Sequence, residues 1–150
     1  MGLKTKEEYI ESIRALKPVV YMFGEKLTTS PVDNPRLRAG IEATGATYEL
    51  AGMPENKDLF VTTSPLINEP VSRFTLPPAS IEDLVARVKV NRKVANYVGT
   101  CHQRCTGLDC LSTLAIVTYD IDKKYGTHYN ENFTEFLKYM QKNDLTGNAG

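Results

Sequence analysis

The three cysteines of the chain lie together in the stretch YVGTCHQRCTGLDC, and their thiols are the groups best suited to chemistry. Cys101 and Cys105 are four residues apart, so on a helix their side chains would share one face, with Cβ atoms about 6 Å apart. Thiolates at that separation can bind one zinc ion or two irons of one cluster. Cys110 would lie about half a turn away from Cys101 on the same helix, and we expect it to point elsewhere.

The spacing of the cysteines leaves several uses open. The C-x3-C-x4-C pattern does not match the C-x2-C pairs of zinc ribbons and ferredoxin-type clusters. It also departs from the C-x3-C-x2-C run of radical enzymes that use S-adenosylmethionine. Cysteine is a small apolar residue that is often buried, so burial alone would explain the pair equally well. An odd number of cysteines favours metal or redox chemistry over a set of structural disulfides.

Two histidines and one arginine are the other polar residues that could join a site. His102 is adjacent to Cys101 and would point about 100° away on a helix, which makes it a poor co-ligand. We interpret His128 as a turn residue. Arg92 falls on the apolar stripe of a predicted helix, where a guanidinium needs a carboxylate or an anionic ligand unless its stem extends to solvent. Both readings of Arg92 remain open.

The charges of the chain are balanced, with 18 basic and 18 acidic residues. This balance lacks the electrostatic footprint that nucleic-acid binding normally leaves. At this length we expect one domain that buries its own core. No apolar run is long enough to span a bilayer, and the first residues, MGLKTKEEYIES, lack an apolar signal segment. We therefore expect a cytoplasmic protein.

Apolar residues at helical spacing, together with capping residues, predict a mainly α fold. Thr5 and Glu8 make a capping box, and Asn34 before Pro35 is a strong helix start. The predicted helices run from Thr5 to Pro18, from Asn34 to Gly52, from Ser80 to about Gly99, from Leu108 to Ile121 and from Asn130 to Met140. The segments VVYMFGEKLTT, and LFVTT with VSRFT, predict one or two short β-hairpins.

An apolar seam at helical spacing runs through the cysteine pair. Its members are Val90, Val94, Tyr97, Cys101, Cys105 and Leu108. We therefore expect a ligand-bearing helix over about residues 80–124, with the sulfurs of Cys101 and Cys105 converging on its surface.

Five longer segments carry a resemblance to a known family. They are EEYIESIRALKPVVYMFGEKL, NPRLRAGIEATGATYELA, VSRFT, TCHQRCTGLD and IDKKYGTHYNENFTEFLKYMQKNDLT. Together they resemble the N-terminal part of the 4-hydroxybutyryl-CoA dehydratases, which are also vinylacetyl-CoA delta-isomerases. The first segment alone would indicate only the wider superfamily that includes the flavin-dependent 4-hydroxyphenylacetate 3-monooxygenases. The C-x-Q-R-C element is the narrower signal, because those monooxygenases carry no cluster.

The resemblance implies a [4Fe-4S] cluster beside FAD, in an acyl-CoA dehydrogenase-like fold of which residues 1–150 form the N-terminal helical domain. It implies that Cys101 and Cys105 ligate the cluster, and that a His and a further Cys from later in the family's sequence complete the set. The β-domain and the C-terminal helical domain, which build the flavin and CoA sites, are expected to be absent, so the chain alone should be inactive. Cys110 is not part of the family motif, and His102 stands where an aromatic residue is usual.

The resemblance also implies the reaction: radical dehydration of 4-hydroxybutyryl-CoA to crotonyl-CoA, with vinylacetyl-CoA isomerase activity. Gln103 and Arg92 are then the candidates for polar contacts to the cluster or the substrate. The expected partners are an acyl-CoA, the remainder of the enzyme or a second subunit, and further copies in a homo-oligomer, without nucleic acid or membrane. The alternatives are a flavin-dependent aromatic monooxygenase component, and a non-catalytic helical module whose cysteines bind zinc or sense redox state.

Overall fold

The structure of the chain, a computed structural model, describes residues 3–148. Within that range it has six α-helices: α1 Lys6–Leu16, α2 Pro35–Gly52, α3 Lys57–Phe60, α4 Ile81–Val98, α5 Arg104–Tyr125 and α6 Tyr129–Lys142. Two short antiparallel pairs accompany them: β1 Tyr21–Met22 with β2 Glu25–Lys26, and β3 Val61–Thr63 with β4 Pro70–Ser72. The mainly α prediction and both hairpins are confirmed.

The helix starts follow the capping residues that the sequence offers. The Thr5 side chain accepts from the Glu8 amide while the Glu8 carboxylate accepts from the Thr5 amide, which completes the capping box. Asn34 accepts from the Arg36 amide at the start of α2. Ser80 accepts from the Asp83 amide at the start of α4. Each cap satisfies an amide that has no partner inside its own helix.

The ligand-bearing segment is interrupted, so the prediction of one continuous helical seam over residues 80–124 is wrong. Gly99 ends α4 with φ 66°, a left-handed conformation, and its amide donates to the carbonyl oxygen of Ala95 at 2.8 Å. Residues 99–103, which we call the cysteine loop, then precede α5. Helix α5 begins at Arg104, four residues before the predicted start at Leu108.

The start of α6 also differs from the prediction that Asn130 caps it. The helix begins at Tyr129, and the cap comes from Asp122 on α5. The Asp122 carboxylate accepts from the Tyr129 amide at 2.9 Å, the Asn130 amide at 2.8 Å and the Thr127 hydroxyl at 2.6 Å. These hydrogen bonds lower the pKa of Asp122, although burial opposes them as the largest single effect. A cap supplied from another helix leaves no local signature in the sequence.

Two apolar clusters form the core. The first lies between α2, α3 and α4 and consists of Leu50, Phe60, Phe74, Val90 and Val94. The second lies between α5 and α6 and consists of Leu111, Phe133, Leu137 and Met140. A buried polar link joins the β3–β4 region to α6, because the Ser64 hydroxyl donates to Gln141 at 2.7 Å and Gln141 donates to the Thr75 carbonyl oxygen at 2.9 Å.

One side of α4 is apolar but lies open. Four of its residues are 47–75% exposed, and we call them the outer face of α4: Ile81, Leu84, Val85 and Val88. Only Val90 and Val94 of this helix are buried, on the opposite side. No helix within residues 3–148 has the length and apolar composition needed to cross a bilayer.

Candidate functional site

The structure separates the two predicted ligands between a loop and a helix end. Cys101 is exposed in the cysteine loop, whereas Cys105 is the second residue of α5 and is half-buried. Cys110 is half-buried further along the same helix. All three cysteines are free thiols. The expectation that Cys101 and Cys105 share one helix face is therefore wrong, because the helix breaks between them. Convergence of their sulfurs on one metal stays a prediction.

The N-terminus of α5 faces the cysteine loop. Gln103 precedes the helix in a left-handed conformation, with φ 63° and ψ −20°, and its side chain makes no capping hydrogen bond. Amides in the first turn of a helix and the aligned peptide dipoles carry partial positive charge, which favours nearby anions. The 22-residue helix α5 begins one residue before Cys105, so its first amides lie beside the cysteine loop.

His102 points into the protein. Its ring is buried and packs edge-on against Phe74, with ring centroids 5.2 Å apart. Burial lowers the pKa of His102, and the charge of Arg104 lowers it further. Its Nδ1 has no hydrogen-bond partner in the described part of the chain. His102 is thus buried beside Phe74, where burial favours the neutral imidazole. Because it lies in a loop, the helical geometry that would make it a poor metal ligand does not apply, and its role stays a prediction.

Arg104 is the residue of this region that the sequence analysis missed. Its side chain is 2% exposed, although it lies between two cysteines that reach the surface. The guanidinium donates to Asp144 Oδ1 and to Thr47 Oγ1, both at 3.1 Å, and to the Leu145 carbonyl oxygen at 3.5 Å. Buried charges are paired or bind ligands, so an arginine inside the C-x-Q-R-C element was a usable signal, but its partner lies 40 residues away.

Aromatic rings surround the buried guanidinium. Its central carbon lies 4.3 Å from the ring centroid of Tyr48 and 5.0 Å from that of Phe74. The Tyr48 hydroxyl donates to the Asp144 carbonyl oxygen at 3.0 Å, and burial raises its pKa. Tyr9 stacks on the Tyr48 ring with centroids 4.8 Å apart. Arg104 is thus held by charge, hydrogen bonds and cation–π contacts together.

The backbone of the cysteine loop is attached to α2. The carbonyl oxygen of His102 accepts from the Thr44 hydroxyl at 3.1 Å and from the Arg104 amide at 2.8 Å. These contacts and the Arg104 pair form what we call the inner side of the cysteine loop, made of Thr44, Thr47, His102, Arg104 and Asp144. All five residues are buried.

Residues 143–148, which we call the C-terminal segment, lie against the same region. The Asp144 carboxylate accepts from Arg104 and, through Oδ2, from the Lys4 amide at 3.2 Å. A Cβ added to Gly107 of α5 would overlap the carbonyl oxygen of Gly147. The C-terminal segment therefore approaches α5 so closely that only glycine fits at position 107.

Arg92 and Gln103 are both exposed. The Arg92 side chain makes no hydrogen bond or ion pair with another residue between positions 3 and 148. Its side chain faces solvent in this chain, on a part of α4 where the sequence suggested an interior or a cleft. Contacts of Arg92 or Gln103 with substrate or cluster remain predictions.

Cys101 and Cys105 could supply at most two of the ligands that an iron–sulfur cluster needs. A [4Fe-4S] cluster takes four protein ligands, and cysteine thiolate is the usual one. Cys101 and Cys105 offer two thiols near a helix N-terminus. Among residues 3–148, no group of three or more His, Cys, Asp or Glu side chains is arranged to hold a metal ion. Any further ligands must come from elsewhere.

Two curated relatives match nearly the whole chain. The 4-hydroxybutyryl-CoA dehydratase/vinylacetyl-CoA-Δ-isomerase of Clostridium aminobutyricum is 47% identical over 143 residues, which is 95% of this chain and 29% of that protein. The 4-hydroxyphenylacetate 3-monooxygenase oxygenase component of Geobacillus sp. (strain PA-9) is 24% identical over 147 residues, or 97% of this chain and 29% of that protein. The chain thus spans less than a third of the length of either relative.

Solved structures show the same fold. An oxygen-tolerant archaeal 4-hydroxybutyryl-CoA dehydratase from N. maritimus superposes with a TM-score of 0.90 at 39% identity, covering 97% of this chain and 28% of that one. The oxygenase component of 4-hydroxyphenylacetate 3-monooxygenase, solved as a complex with FAD, gives 0.72 at 22% identity, covering 95% and 29%. These matches confirm the predicted N-terminal helical domain of an acyl-CoA dehydrogenase-like fold.

The family comparison covers almost every residue. The sequence profile described as 4-hydroxyphenylacetate 3-hydroxylase N terminal matches residues 5–150. The resemblance to the 4-hydroxybutyryl-CoA dehydratases is confirmed within this family by the 47% identity. The chain belongs to the family of 4-hydroxyphenylacetate 3-hydroxylase N-terminal domains.

Proposed function

We propose that this chain is the N-terminal part of a dehydratase that uses FAD and a [4Fe-4S] cluster to convert 4-hydroxybutyryl-CoA to crotonyl-CoA, with vinylacetyl-CoA isomerase activity. The observation that carries the proposal is the pair of free thiols, with Cys101 in the cysteine loop and Cys105 in the first turn of α5. That pair lies in a chain 47% identical to a dehydratase that also bears the isomerase name.

The role of this chain in the enzyme is to hold part of the cluster. Cys101 and Cys105 would each bind one iron, and the N-terminus of α5 would offset part of the negative charge that thiolates bring. When bound, the cluster supplies a Lewis acid for the departing hydroxyl group and FAD supplies an electron acceptor and donor. The inner side of the cysteine loop fixes the backbone that carries the two sulfurs.

Arg92 and Gln103 are the residues that we propose for contacts with substrate or cluster. Both side chains are exposed, and both lie close in sequence to the cysteine loop. An exposed guanidinium can pair with the phosphates of an acyl-CoA, and an exposed amide can both donate and accept. We propose that the rest of the enzyme covers these side chains and that the enzyme is a cytoplasmic homo-oligomer.

Two alternatives make different demands on the cysteines. A flavin monooxygenase component needs no cysteine pair, and its curated relative shares only 24% identity with this chain. A zinc or redox module needs its full ligand set or a resolving thiol in one place. No third metal-binding side chain joins the pair within residues 3–148. The dehydratase proposal explains why the pair is present and why it is incomplete.

The test is the iron content of the full-length enzyme after anaerobic purification. We expect about four irons and four sulfides per chain in the wild type. Cys101→Ser and Cys105→Ser should each lose most of this iron, because serine is a poor ligand for a cluster that prefers thiolate. Cys110→Ser is the matched control on the same helix and should retain it.

The same preparation distinguishes the alternatives. Retention of wild-type iron by both Cys101→Ser and Cys105→Ser would contradict the proposal. Stoichiometric zinc without iron would support the helical module instead. Bound FAD without iron or zinc in the wild type would support the monooxygenase.

A further inference from the structure

The strongest unassigned feature near the site is the buried ion pair between Arg104 and Asp144. Their side chains are only 2% and 4% exposed, and their atoms lie 3.1 Å apart. Arg104 follows the left-handed Gln103 and precedes Cys105, so it sits at the junction of the cysteine loop and α5. The guanidinium lies over the Phe74 ring of the first core cluster. Its hydrogen bonds join α5 to Thr47 on α2 and to the C-terminal segment.

Besides Arg104, the cysteine loop is attached through His102, whose buried ring packs against Phe74. Both of its ends, Gly99 and Gln103, have positive φ, and Cys101 is exposed. The backbone contact from Thr44 to the His102 carbonyl oxygen holds its middle. The buried Arg104 side chain is adjacent to Cys105 and therefore helps to fix the first turn of α5, which carries that cysteine.

We propose that Arg104, fixed by Asp144, is a positioning residue that sets the geometry of Cys101 and Cys105 for metal binding without touching the metal. This inference rests on the proposed cluster but concerns only residues of this chain. Residues that orient metal ligands without binding the metal themselves typically change metal affinity by about tenfold to a hundredfold when they are replaced.

The geometry explains why arginine and aspartate are needed at these positions. The planar guanidinium reaches Thr47, Asp144 and the Leu145 carbonyl oxygen at once and stacks near two rings, which a lysine ammonium cannot do. Asp144 has φ 41°, a conformation that asparagine also tolerates. Asp144→Asn therefore removes the charge while it keeps the backbone preference and a hydrogen-bond acceptor.

The experiment compares Arg104→Lys and Asp144→Asn in the full-length enzyme. The first measurement is the rate at which a chelator removes iron from the anaerobic protein, together with the electron paramagnetic resonance spectrum of the reduced cluster. We expect iron release about tenfold or more faster than in the wild type, and a changed spectrum. Asp144→Glu, which restores the charge, should recover part of the loss.

A second measurement does not need the cluster. In protein stripped of metal, iodoacetamide modification of Cys101 and Cys105 is followed by mass spectrometry, with Cys110 as the internal reference. We expect the modification rates of Cys101 and Cys105, relative to Cys110, to change severalfold in Arg104→Lys. If this variant fails to fold, Asp144→Asn provides the same comparison with a smaller change of shape.

The control for a general loss of stability is Ser64→Ala, which removes the buried hydrogen bond to Gln141 and touches neither cysteine. Wild-type iron release and thiol ratios in Arg104→Lys and Asp144→Asn would overturn the inference, as would equal changes in Ser64→Ala. If the wild type holds no iron, the proposed function fails, and the thiol ratios still decide whether Arg104 positions the cysteines.

Discussion

The inner side of the cysteine loop and the outer face of α4 reverse the usual distribution of polarity in a folded chain. The inner side is polar, and its five residues are buried and mostly hydrogen-bonded to one another. The outer face is apolar, and its four residues are 47–75% exposed. Ordinary packing places apolar groups inside and leaves polar groups in water.

The two regions differ in whether this chain alone satisfies their side chains. Burial of the Arg104–Asp144 pair is completed within the chain, so the backbone of the cysteine loop is fixed without outside help. A contiguous apolar face is normally covered by protein, and the relatives that share this fold are more than three times longer. The attachment of the cysteine loop is thus complete within this chain, whereas the outer face of α4 is open, and we expect further protein to cover it.

The largest expected effect concerns the inner side. Arg104→Met should lower the free energy of unfolding by about 3–5 kcal/mol, because Asp144 would be left as an unpaired buried charge. Urea unfolding followed by circular dichroism measures the change. Arg14→Met is the matched control, since it removes the exposed pair with Asp33 and should cost little. Equal decreases in the free energy of unfolding of the two variants would show that the buried ion pair contributes no more to stability than the exposed one.

A smaller effect is expected at the contact between α5 and the C-terminal segment. Gly107→Ala should destabilise the chain by about 1–3 kcal/mol, because the new methyl group would overlap the Gly147 carbonyl oxygen. Gly40→Ala on α2 meets open space and should stabilise it by up to about 1 kcal/mol through helix propensity. Thermal unfolding shows whether each variant is more or less stable than the wild type. A stabilising Gly107→Ala would contradict the close approach of the C-terminal segment to α5.

Gln103 allows stability and function to be separated. Gln103 has a left-handed backbone conformation that is strained for a residue with a side chain, and glycine adopts it without that strain. The free energy of unfolding of Gln103→Gly should therefore stay the same or rise by up to about 1 kcal/mol. If the side chain contacts cluster or substrate as we propose, turnover by the full-length enzyme should fall nonetheless. Unchanged turnover in a stable Gln103→Gly variant would remove Gln103 from the site.

The smallest effect on stability is expected on the outer face of α4. Val85→Lys in the isolated chain should change the free energy of unfolding by less than about 0.5 kcal/mol, since the side chain is already half exposed. We expect the isolated chain to self-associate through this open apolar face. The charge of Val85→Lys should weaken that self-association, as measured by analytical ultracentrifugation. In the full-length enzyme the same variant should be destabilising. Stable assembly of full-length Val85→Lys would show that nothing covers this face.

Local signals in the sequence were sufficient for most of the fold. Thr5, Asn34 and Ser80 each begin a helix where the capping pattern predicted, because a cap depends on residues within a few positions. The end of α4 near Gly99 was predicted, but the cysteine pair was still placed on a continuous helical seam, since Cys101 and Cys105 continue the helical spacing of Val90 and Val94. A left-handed residue such as Gln103 carries no compositional signal.

The candidate site was predictable only in part. The cysteine pair could be read from its spacing and from the family resemblance. The burial of Arg104 could not, because it depends on Asp144 and Thr47, which are far away in sequence. The apolar stripe on which Arg92 falls was predicted from its period, but the period alone does not show whether such a face packs within the chain or against another protein.

The central claim is that this chain prepares half of a cluster site and cannot complete it. Reconstitution of the isolated 150-residue chain with iron and sulfide under anaerobic conditions, followed by addition of FAD and 4-hydroxybutyryl-CoA, tests this most directly. Among the described residues the three cysteines are free thiols, and no group of three or more metal-binding side chains is arranged to hold a metal ion. We predict at most a labile, substoichiometric cluster, no flavin retained through gel filtration and no crotonyl-CoA formed. A stoichiometric cluster with retained FAD and turnover would contradict the account.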